Sequence, residues 1–213
     1  MIIEGIVNPP SNISFSDGDD VRILAGKTAD LLTSGLHGTH YTLTYRGFMF
    51  HGYNTTATSI PVSSTTTPTF ILWNPKSNDV NCVLVHYCHG YVSGTNTEGH
   101  MMFGVLTNTP SEIATGTSIA AFTDGPVING YLGGGRRSHV KFGVAATITA
   151  ATQFITLGMT GLNYIASSDI EFTSFYDFNG TIIVPPGVAV FSCRNAASVA
   201  LFHERLSWYE FPL

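Results

Sequence analysis

Charged residues are scarce in this chain of 213 residues, at 11% of the total. Globular proteins usually contain ~25%. Lysine occurs only three times and glutamine once, so straight-chain residues that favour long helices are largely missing. The formal net charge is −5, which argues against a nucleic-acid binder that works by neutralising phosphates. Disorder is also excluded, because 44% of the residues are hydrophobic and disordered chains combine low hydrophobicity with high charge.

Cysteine is equally sparse, with three residues. This odd number does not suit a framework of disulfide pairs. Cys82 and Cys88 lie six residues apart in one predicted strand, a separation of about 20 Å at ~3.3 Å per residue. A disulfide between them would break that strand. We therefore expect Cys82, Cys88 and Cys193 to be free, buried thiols in a reducing compartment.

Targeting and membrane signals are weak as well. Residues 1–5 lack the basic and long apolar segments of a secretory signal. Residues 142–168 carry no charge, but several Thr, Gln, Asn and Gly residues interrupt the run. That composition does not suit a bilayer span. We expect neither a secretory leader nor membrane association.

Thr, Ser and Gly replace the missing charges, with 26 Thr, 18 Ser and 22 Gly. Thr, Val, Ile and aromatic residues favour strands, and apolar residues recur with a period of two at residues 41–51, 100–107 and 199–209. These signals predict eight to ten short strands separated by polar loops, without βαβ alternation. The fold class is therefore all-β, an antiparallel β-sandwich for which a jelly roll fits best.

The sequence divides into an N-terminal arm, residues 1–40, and a sandwich domain, residues 41–213. In the arm, Asp20 suits the start of a short helix, and a pair of short strands fits nearly as well. In the domain, residues 41–45 read as a strand, residues 80–91 as a strand buried on both faces, and residues 107–137 as turn-rich. Pro185-Pro186-Gly187 predicts a type II turn.

The densest group of ligand-type residues is His86, Cys88 and His89, with Glu98 and His100 nearby. In a strand, His86 and Cys88 share one face while His89 points to the other, so we predict neither a metal site nor a Cys–His catalytic pair. A Gly-x-Ser-x-Gly elbow is absent from the sequence. We predict no catalytic residue, no metal ligand and no cofactor, and hence no enzyme.

Two further features have alternative interpretations. Glu204 and Glu210 lie six residues apart in the last strand, about 20 Å, which exceeds the carboxylate spacing of glycosidases. We expect structural roles for both. Residues 133–137, Gly-Gly-Gly-Arg-Arg, suit an anion cradle of backbone N–H groups, but they lack the Lys-Ser/Thr ending of a P-loop. A flexible loop with exposed arginines is the favoured interpretation.

Five segments carry a resemblance to a known family: residues 38–50 (GTHYTLTYRGFMF), 66–77 (TTPTFILWNPKS), 90–95 (GYVSGT), 184–187 (VPPG) and 206–212 (LSWYEFP). In order and spacing they resemble a family of virion structural proteins of tailed bacteriophages. The resemblance covers residues 36–213. It implies a β-sandwich on the particle, a capsid decoration or cement protein that is often trimeric, and no catalytic residues.

The predicted function is therefore that of a virion structural protein, made in the host cytoplasm, that binds the head surface and stabilises the shell. Its expected partners are the major capsid protein or other virion proteins and two further copies of itself, with glycan contact by surface loops as an open question. The alternatives are a receptor-binding or fibre-head protein and a cupin-like jelly-roll binder or enzyme.

Aromatic residues are enriched at interface centres, so we predict interface contacts at Tyr87, Tyr91, Trp208, Tyr209 and Phe211.

Overall fold

A computed structural model describes residues 4–6, 20–22, 40–97, 99–159 and 173–213. The chain divides into two units, Met1–His40 and Tyr41–Leu213. In the first unit, β1 (Glu4–Ile6) pairs antiparallel with β2 (Asp20–Arg22). The helix predicted from Asp20 is wrong over these three residues, because their backbone groups pair with a neighbouring strand instead. The short apolar patches of the arm sequence, such as Ile2-Ile3 and Leu31-Leu32, are too scattered to form a core. They predict that the arm docks on a neighbouring subunit, and this stays a prediction.

The second unit contains the short helix α1 (Tyr41–Tyr45) and two antiparallel sheets. In spatial order, sheet I consists of β11 (Gln153–Met159), β7 (His100–Thr107), β13 (Val188–Arg194), β5 (Ile71–Asn74), β10 (Lys141–Ile148) and β8 (Ile119–Asp124). Sheet II consists of β12 (Thr173–Val184), β6 (Val80–Ser93), β14 (Leu201–Pro212), β3 (Met49–Tyr53) and β9 (Val127–Asn129), with β4 (Thr58–Ser59) beside β14. The predicted all-β antiparallel sandwich is confirmed, and the finer assignment to a jelly roll stays a prediction.

The main core lies between the two sheets and is strongly aromatic. Phe142 of sheet I lies between Phe70 and Trp208, at ring-centroid distances of 4.8 Å and 6.5 Å. Tyr87 of sheet II packs edge-on against Phe70 at 5.9 Å and Phe103 at 5.2 Å. Large rings from both sheets thus interdigitate, which is how a sandwich fills its interior.

Both sheets also bury apolar side chains on their outer faces. On sheet I, Ile71 and Trp73 point away from the core that holds Leu72, and both are fully buried. On sheet II, Met49, Val85 and Tyr209 form an outer cluster to which Leu43 of α1 contributes. The predicted burial of residues 80–91 on both faces therefore holds for part of β6, where Val83 and Val85 belong to this outer cluster.

A β-bulge at Val85 shifts the alternation of β6. Ser207 pairs with His86 and Trp208 pairs with Leu84, so Val85 is the extra residue between them. Before the bulge, Cys82 and Leu84 point inward, and after it Tyr87 and His89 do. The bulge thereby sets which later side chains of β6 reach the interior.

Residues 41–45 are helical, so their predicted strand is wrong. Hydrogen bonds from Arg46 N to Thr42 O (3.1 Å) and from Phe48 N to Leu43 O (3.0 Å) close the turn. Gly47 then ends it with a left-handed φ of 72°. The alternation of apolar residues over five positions favours a strand only weakly. The packing of Leu43 on sheet II and the glycine at the helix end stabilise the helix instead.

The region 107–137 is more ordered than predicted, because it contains β8 and β9. Gly125-Pro126 separates these strands, which belong to different sheets. The described strands therefore exceed the predicted eight to ten. The turn at Pro185-Pro186-Gly187 is confirmed by the hydrogen bond from Val188 N to Pro185 O (3.2 Å) and by a φ of 84° at Gly187.

Candidate functional site

Three groups of polar side chains are candidates for a functional site. The first lies inside the sandwich, around Glu204 of β14. The Tyr87 hydroxyl donates to Glu204 Oε1 at 2.5 Å, and the backbone N–H of Glu204 donates to Asn54 Oδ1 at 2.6 Å. His89 is the cross-strand partner of Glu204, and both side chains are buried. A carboxyl group and an imidazole thus lie side by side in the interior.

Burial changes the protonation of this internal group. Desolvation raises the pKa of Glu204 to about 7, against opposing hydrogen bonds from Ser192 and Tyr87. Desolvation, and then the charge of Arg194, lowers the pKa of His89 to about 4. Tyr87 has no exposed surface and Glu204 is 2% exposed. A substrate could not reach them, so the group ties strands together, and the expectation of a structural Glu204 fits this geometry.

The second group is a row of side chains on the outer face of sheet II. His51, Ser207, His86 and Asp177 come from four adjacent strands and are paired in register. The Ser207 hydroxyl lies 2.7 Å from His51 Nδ1 and 3.0 Å from His86 Nε2. Burial, followed by the charges of Arg205 and His86, lowers the pKa of His51 to about 4. A serine between two imidazoles superficially resembles a nucleophile with its base.

Accessibility excludes that reading of the row. Ser207 has no exposed surface, and its hydroxyl group is already hydrogen-bonded to the imidazoles of His51 and His86. Arg205 Nη2 lies 2.9 Å from His86 Nε2 and shares that nitrogen with the serine. The Ser207 hydroxyl is therefore a bridge that joins β3, β14 and β6. Sequence reasoning missed this row because only the strand register brings the residues together.

The predicted orientations of the histidines in β6 are confirmed. His86 is half-buried in the outer row, whereas His89 packs inside against Phe202 (5.4 Å) and Tyr176 (6.0 Å). His100 is exposed at the start of β7, and Glu98 lies outside the described residues. Within the described ranges, no three His, Cys, Asp or Glu side chains are placed to hold a metal ion.

The cysteines are free, as predicted, but only Cys82 and Cys193 are buried, whereas Cys88 is half-buried. Burial, followed by the charge of Glu210, raises the pKa of Cys82, and burial raises that of Cys193 to about 12. Burial also raises the pKa of Cys88 despite its Arg205 neighbour. A nucleophilic cysteine needs a lowered pKa, so none of these thiols has the character of a catalytic thiolate.

The third group surrounds a cleft of about 820 Å³ beside the loop 130–138, which we call the Gly-Arg cleft. Its polar lining comes from Asp124, Asn129, Arg136, Arg137, Ser138 and Lys141, with the glycines 133–135, Tyr131 and Leu132 on the loop side. The sequence allowed two interpretations of residues 133–137, an anion cradle of backbone N–H groups or a flexible loop with exposed arginines. The structure shows that residues 133–137 form one wall of a cleft.

The end of the loop is fixed by a buried carboxylate. Glu210 has no exposed surface and accepts hydrogen bonds from the Ser138 hydroxyl (2.5 Å), the His139 N–H (2.9 Å) and the Trp208 indole N–H (3.0 Å). Three donors compensate the cost of burying the charge. The structural role expected for Glu210 is therefore to anchor the segment that follows the arginines.

Exposed aromatic rings lie next to this cleft. Tyr41 and Tyr45 stack at 5.9 Å with an interplanar angle of 9°, and Tyr45 contacts Tyr131 at 5.5 Å. We call these three residues the tyrosine ladder. They are 40–48% exposed. Sequence reasoning missed the ladder because residues 41–45 were read as a strand, and only a helix places residues i and i+4 side by side.

Two of the predicted interface residues must be corrected. Tyr87 and Trp208 have no exposed surface and lie in the core between the sheets, so they cannot form the surface of an interface. Their large aromatic area is used inside the chain. Tyr209 and Phe211 join the outer cluster of sheet II, and the half-buried Tyr91 donates to Gly94 O at 2.5 Å. Interface roles for Tyr91, Tyr209 and Phe211 stay predictions.

Three further exposed apolar side chains lie on two edge strands of the described structure. Phe175 and Ile183 of β12 are 69% and 55% exposed, and Phe154 of β11 is 41% exposed. Strand β12 is at one edge of sheet II, and β11 is at one edge of sheet I.

Comparison of the chain with models of protein families, with curated protein sequences and with solved structures yields no match. The described part of the chain also contains no helix with the length and apolarity that a bilayer crossing requires. A functional proposal therefore depends on the geometry and on the sequence motifs.

Proposed function

We propose that the protein is a structural protein of a bacteriophage virion, in the role of a cement or decoration protein on the capsid surface. The observation that carries the proposal is the pair of sheet edges with exposed apolar side chains. Edge strands normally carry charges or prolines that prevent pairing with other chains. Strand β11 has no charged residue, and β12 has Asp177 alone.

Such edges favour burial against neighbouring molecules. Phe175, Ile183 and Phe154 offer apolar contact area, and interface centres are poor in charge and rich in aromatic residues. A lattice of repeated subunits would cover these side chains on every copy. The low overall charge and the motif resemblance support the same role, in which the protein buries surface instead of catalysing a reaction.

A closed trimer fits this proposal, because cyclic symmetry lets each copy bury the same surface without leaving a free edge. Light scattering coupled to size exclusion should give about three times the 22.9 kDa monomer mass. Phe175→Asp should lower that mass to the monomer value. Val199→Asp is the matched control, since Val199 is 72% exposed but lies outside β11 and β12. A monomeric wild type at high concentration would contradict the trimer.

The virion role is tested separately by quantitative mass spectrometry of purified particles. A cement protein should be present at a copy number comparable to that of the major capsid protein. A copy number near that of tail-tip components would instead favour the second candidate, a receptor-binding or fibre-head protein. The exposed tyrosine ladder beside a polar cleft favours that candidate, because such surfaces suit ligand recognition.

A further inference from the structure

The tyrosine ladder and the Gly-Arg cleft form one continuous surface, since Tyr131 belongs to both. Tyr41, Tyr45 and Tyr131 keep 48%, 40% and 45% of their surface exposed. Exposed tyrosines combine apolar ring faces with a polar hydroxyl, and they lose little conformational entropy on binding. Leu132, 80% exposed, adds apolar surface at the cleft wall.

Hydrogen bonds of Asn129 hold this surface in place. Its side-chain amide donates to Gly47 O at 2.9 Å, just beyond α1, and its Oδ1 accepts from Tyr131 N at 2.8 Å. The same amide lies 3.4 Å from Arg136 O, at the far end of the loop. One side chain thus links the helix that carries Tyr41 and Tyr45 to the loop that carries Tyr131 and the arginines.

Close packing adds to this rigidity. A Cβ at Gly130 would lie 3.1 Å from Thr44 Cγ2 of α1 and 3.3 Å from Met49 Cβ, so the loop lies directly against the helix. The Arg136 guanidinium lies 4.2 Å from the ring centroid of Phe48, which fixes its stem. A binding surface that is formed before the ligand arrives avoids the entropic cost of ordering it.

The cleft offers hydrogen-bond donors and an acceptor together. Arg136 and Arg137 supply cationic donors, and Asp124, whose side chain is exposed, supplies a carboxylate. The Lys141 ammonium lies over the ring of Trp73, 4.9 Å from its centroid, and Trp73 does not line the cleft. Sugar hydroxyl groups both donate and accept, so they can use both kinds of partner. A nucleic-acid backbone presents phosphate groups that only accept hydrogen bonds, so it offers no donor to the Asp124 carboxylate.

The balance of charge also indicates the class of sugar. Two arginines and one carboxylate line the cleft, and the exposed Arg137 has no ion pair with a described carboxylate. An acidic group on the ligand would complement this excess. We propose that the Gly-Arg cleft and the tyrosine ladder bind an acidic oligosaccharide: a sugar ring stacks on Tyr131, its carboxylate or sulfate group pairs with Arg137, and its hydroxyl groups bond to Asp124.

This proposal does not depend on the position of the protein in a virion, and it is tested on the full-length protein. A glycan array with uronate, sialylated, sulfated and neutral saccharides gives the first readout. Calorimetry then follows with the best acidic binder, with its desulfated or carboxyl-reduced form and with a twelve-residue oligothymidylate. We expect binding to acidic saccharides, loss of about tenfold or more in affinity on removal of the acidic group, and no binding to the oligonucleotide.

Three variants test the assigned contacts. Tyr131→Ala and Arg137→Gln should each weaken binding about tenfold or more, while Tyr131→Phe should keep it because the ring face remains. Val199→Ala is the control: it shortens an apolar side chain that is 72% exposed and lies outside the cleft, the tyrosine ladder and strands β11 and β12, so it should leave binding unchanged. Both substituted positions are exposed, and thermal unfolding of each variant verifies that the fold is retained.

Each outcome decides for or against the proposal. Absence of any acidic saccharide among the array binders would overturn it, and so would equal affinity for the charged and neutral forms of the same sugar. Tight binding of the oligothymidylate, weakened by Arg137→Gln, would assign the surface to single-stranded nucleic acid instead. Saccharide binding that survives both Tyr131→Ala and Arg137→Gln would place the site elsewhere on the molecule.

Discussion

The hydroxyl of Tyr87 donates a 2.5 Å hydrogen bond to the carboxyl group of Glu204 in the interior of the sandwich. These side chains come from β6 and β14, neighbouring strands of sheet II, so their contact reinforces the backbone pairing from the core side. Both groups are buried, and a buried polar group that loses its partner destabilises the fold.

Tyr87→Phe should therefore destabilise the protein by about 1–3 kcal/mol, because the carboxyl group of Glu204 would lose this donor. Urea unfolding followed by tryptophan fluorescence measures the change. Tyr91→Phe is the control: its hydroxyl also makes one hydrogen bond, to Gly94 O, but at an exposed position. Water can replace that bond, so its effect should be smaller. Equal effects of the two substitutions would contradict a buried bond at Glu204.

The dependence of stability on pH should separate Glu204 from the histidines. The folded-state pKa of Glu204, about 7, lies above its ordinary value of 4.5, so folding favours the protonated form. Its contribution to stability is complete below pH 4.5 and is lost as the pH rises through 7. The free energy of unfolding of the wild type minus that of Glu204→Gln should therefore be larger at pH 5 than at pH 8, by roughly 3 kcal/mol at most.

The contribution of the histidines to stability changes with pH in the opposite direction. The pKa values of His51 and His89 fall from 6.5 to about 4 on folding, so their contribution is complete above pH 6.5 and is lost as the pH falls through 4. The Glu204→Gln variant should therefore gain stability from pH 4 to 6.5 and change little from there to pH 8. Urea unfolding at pH 5, 6.5 and 8 tests both statements. A pH-independent difference between wild type and variant would refute the assignment to Glu204.

Gly104→Ala should be strongly destabilising, because a Cβ at this position would overlap the ring of Phe191, its cross-strand partner. Overpacking of this kind costs about 1–3 kcal/mol. Gly135→Ala is the matched control, since nothing lies within 4 Å of its added Cβ and its φ is not left-handed. Differential scanning calorimetry should show a lower Tm for Gly104→Ala alone. An unchanged Tm would mean that Phe191 does not cover Gly104.

Thiol labelling should distinguish the three cysteines. Cys82 and Cys193 are buried, whereas Cys88 is half-buried on the outer face of sheet II. A thiol-reactive chromophore should label at most one group per native chain, slowly because burial raises the pKa of Cys88, and three groups in denaturant. Cys88→Ser should abolish the native reaction. Rapid labelling of two or more native thiols would show that the core opens readily.

Local signals were the part of the fold that the sequence could predict. The alternation in residues 199–209 and the turn at Pro185-Pro186-Gly187 depend on neighbouring residues, and both are present in the structure. Residues 41–45 were predicted as a strand because their apolar residues alternate. Over only five residues, that pattern does not distinguish a strand from a helix that directs Leu43 toward sheet II. The stabilising partners of that helix, Met49 and Val85, lie in other elements.

The candidate site was almost inaccessible to sequence reasoning. Arg136 and Arg137 stood out in the sequence, but the cleft also needs Tyr131 and Asp124, together with Glu210 as an anchor more than seventy residues downstream. Similarly, His51, Ser207 and His86 share a row through strand register alone. Contacts of this range are set by tertiary packing, which no local pattern encodes.

The position of β14 in sheet II has a consequence for synthesis on the ribosome. This strand lies between β6 and β3 although it follows every other described strand in the sequence. While a chain is still shorter than about 200 residues, the strands destined to flank β14 have no partner on that side, and their backbone groups remain available to other nascent chains. Sheet II is therefore completed only after translation has passed residue 212, where β14 ends, and truncated products that lack this strand should aggregate or be degraded.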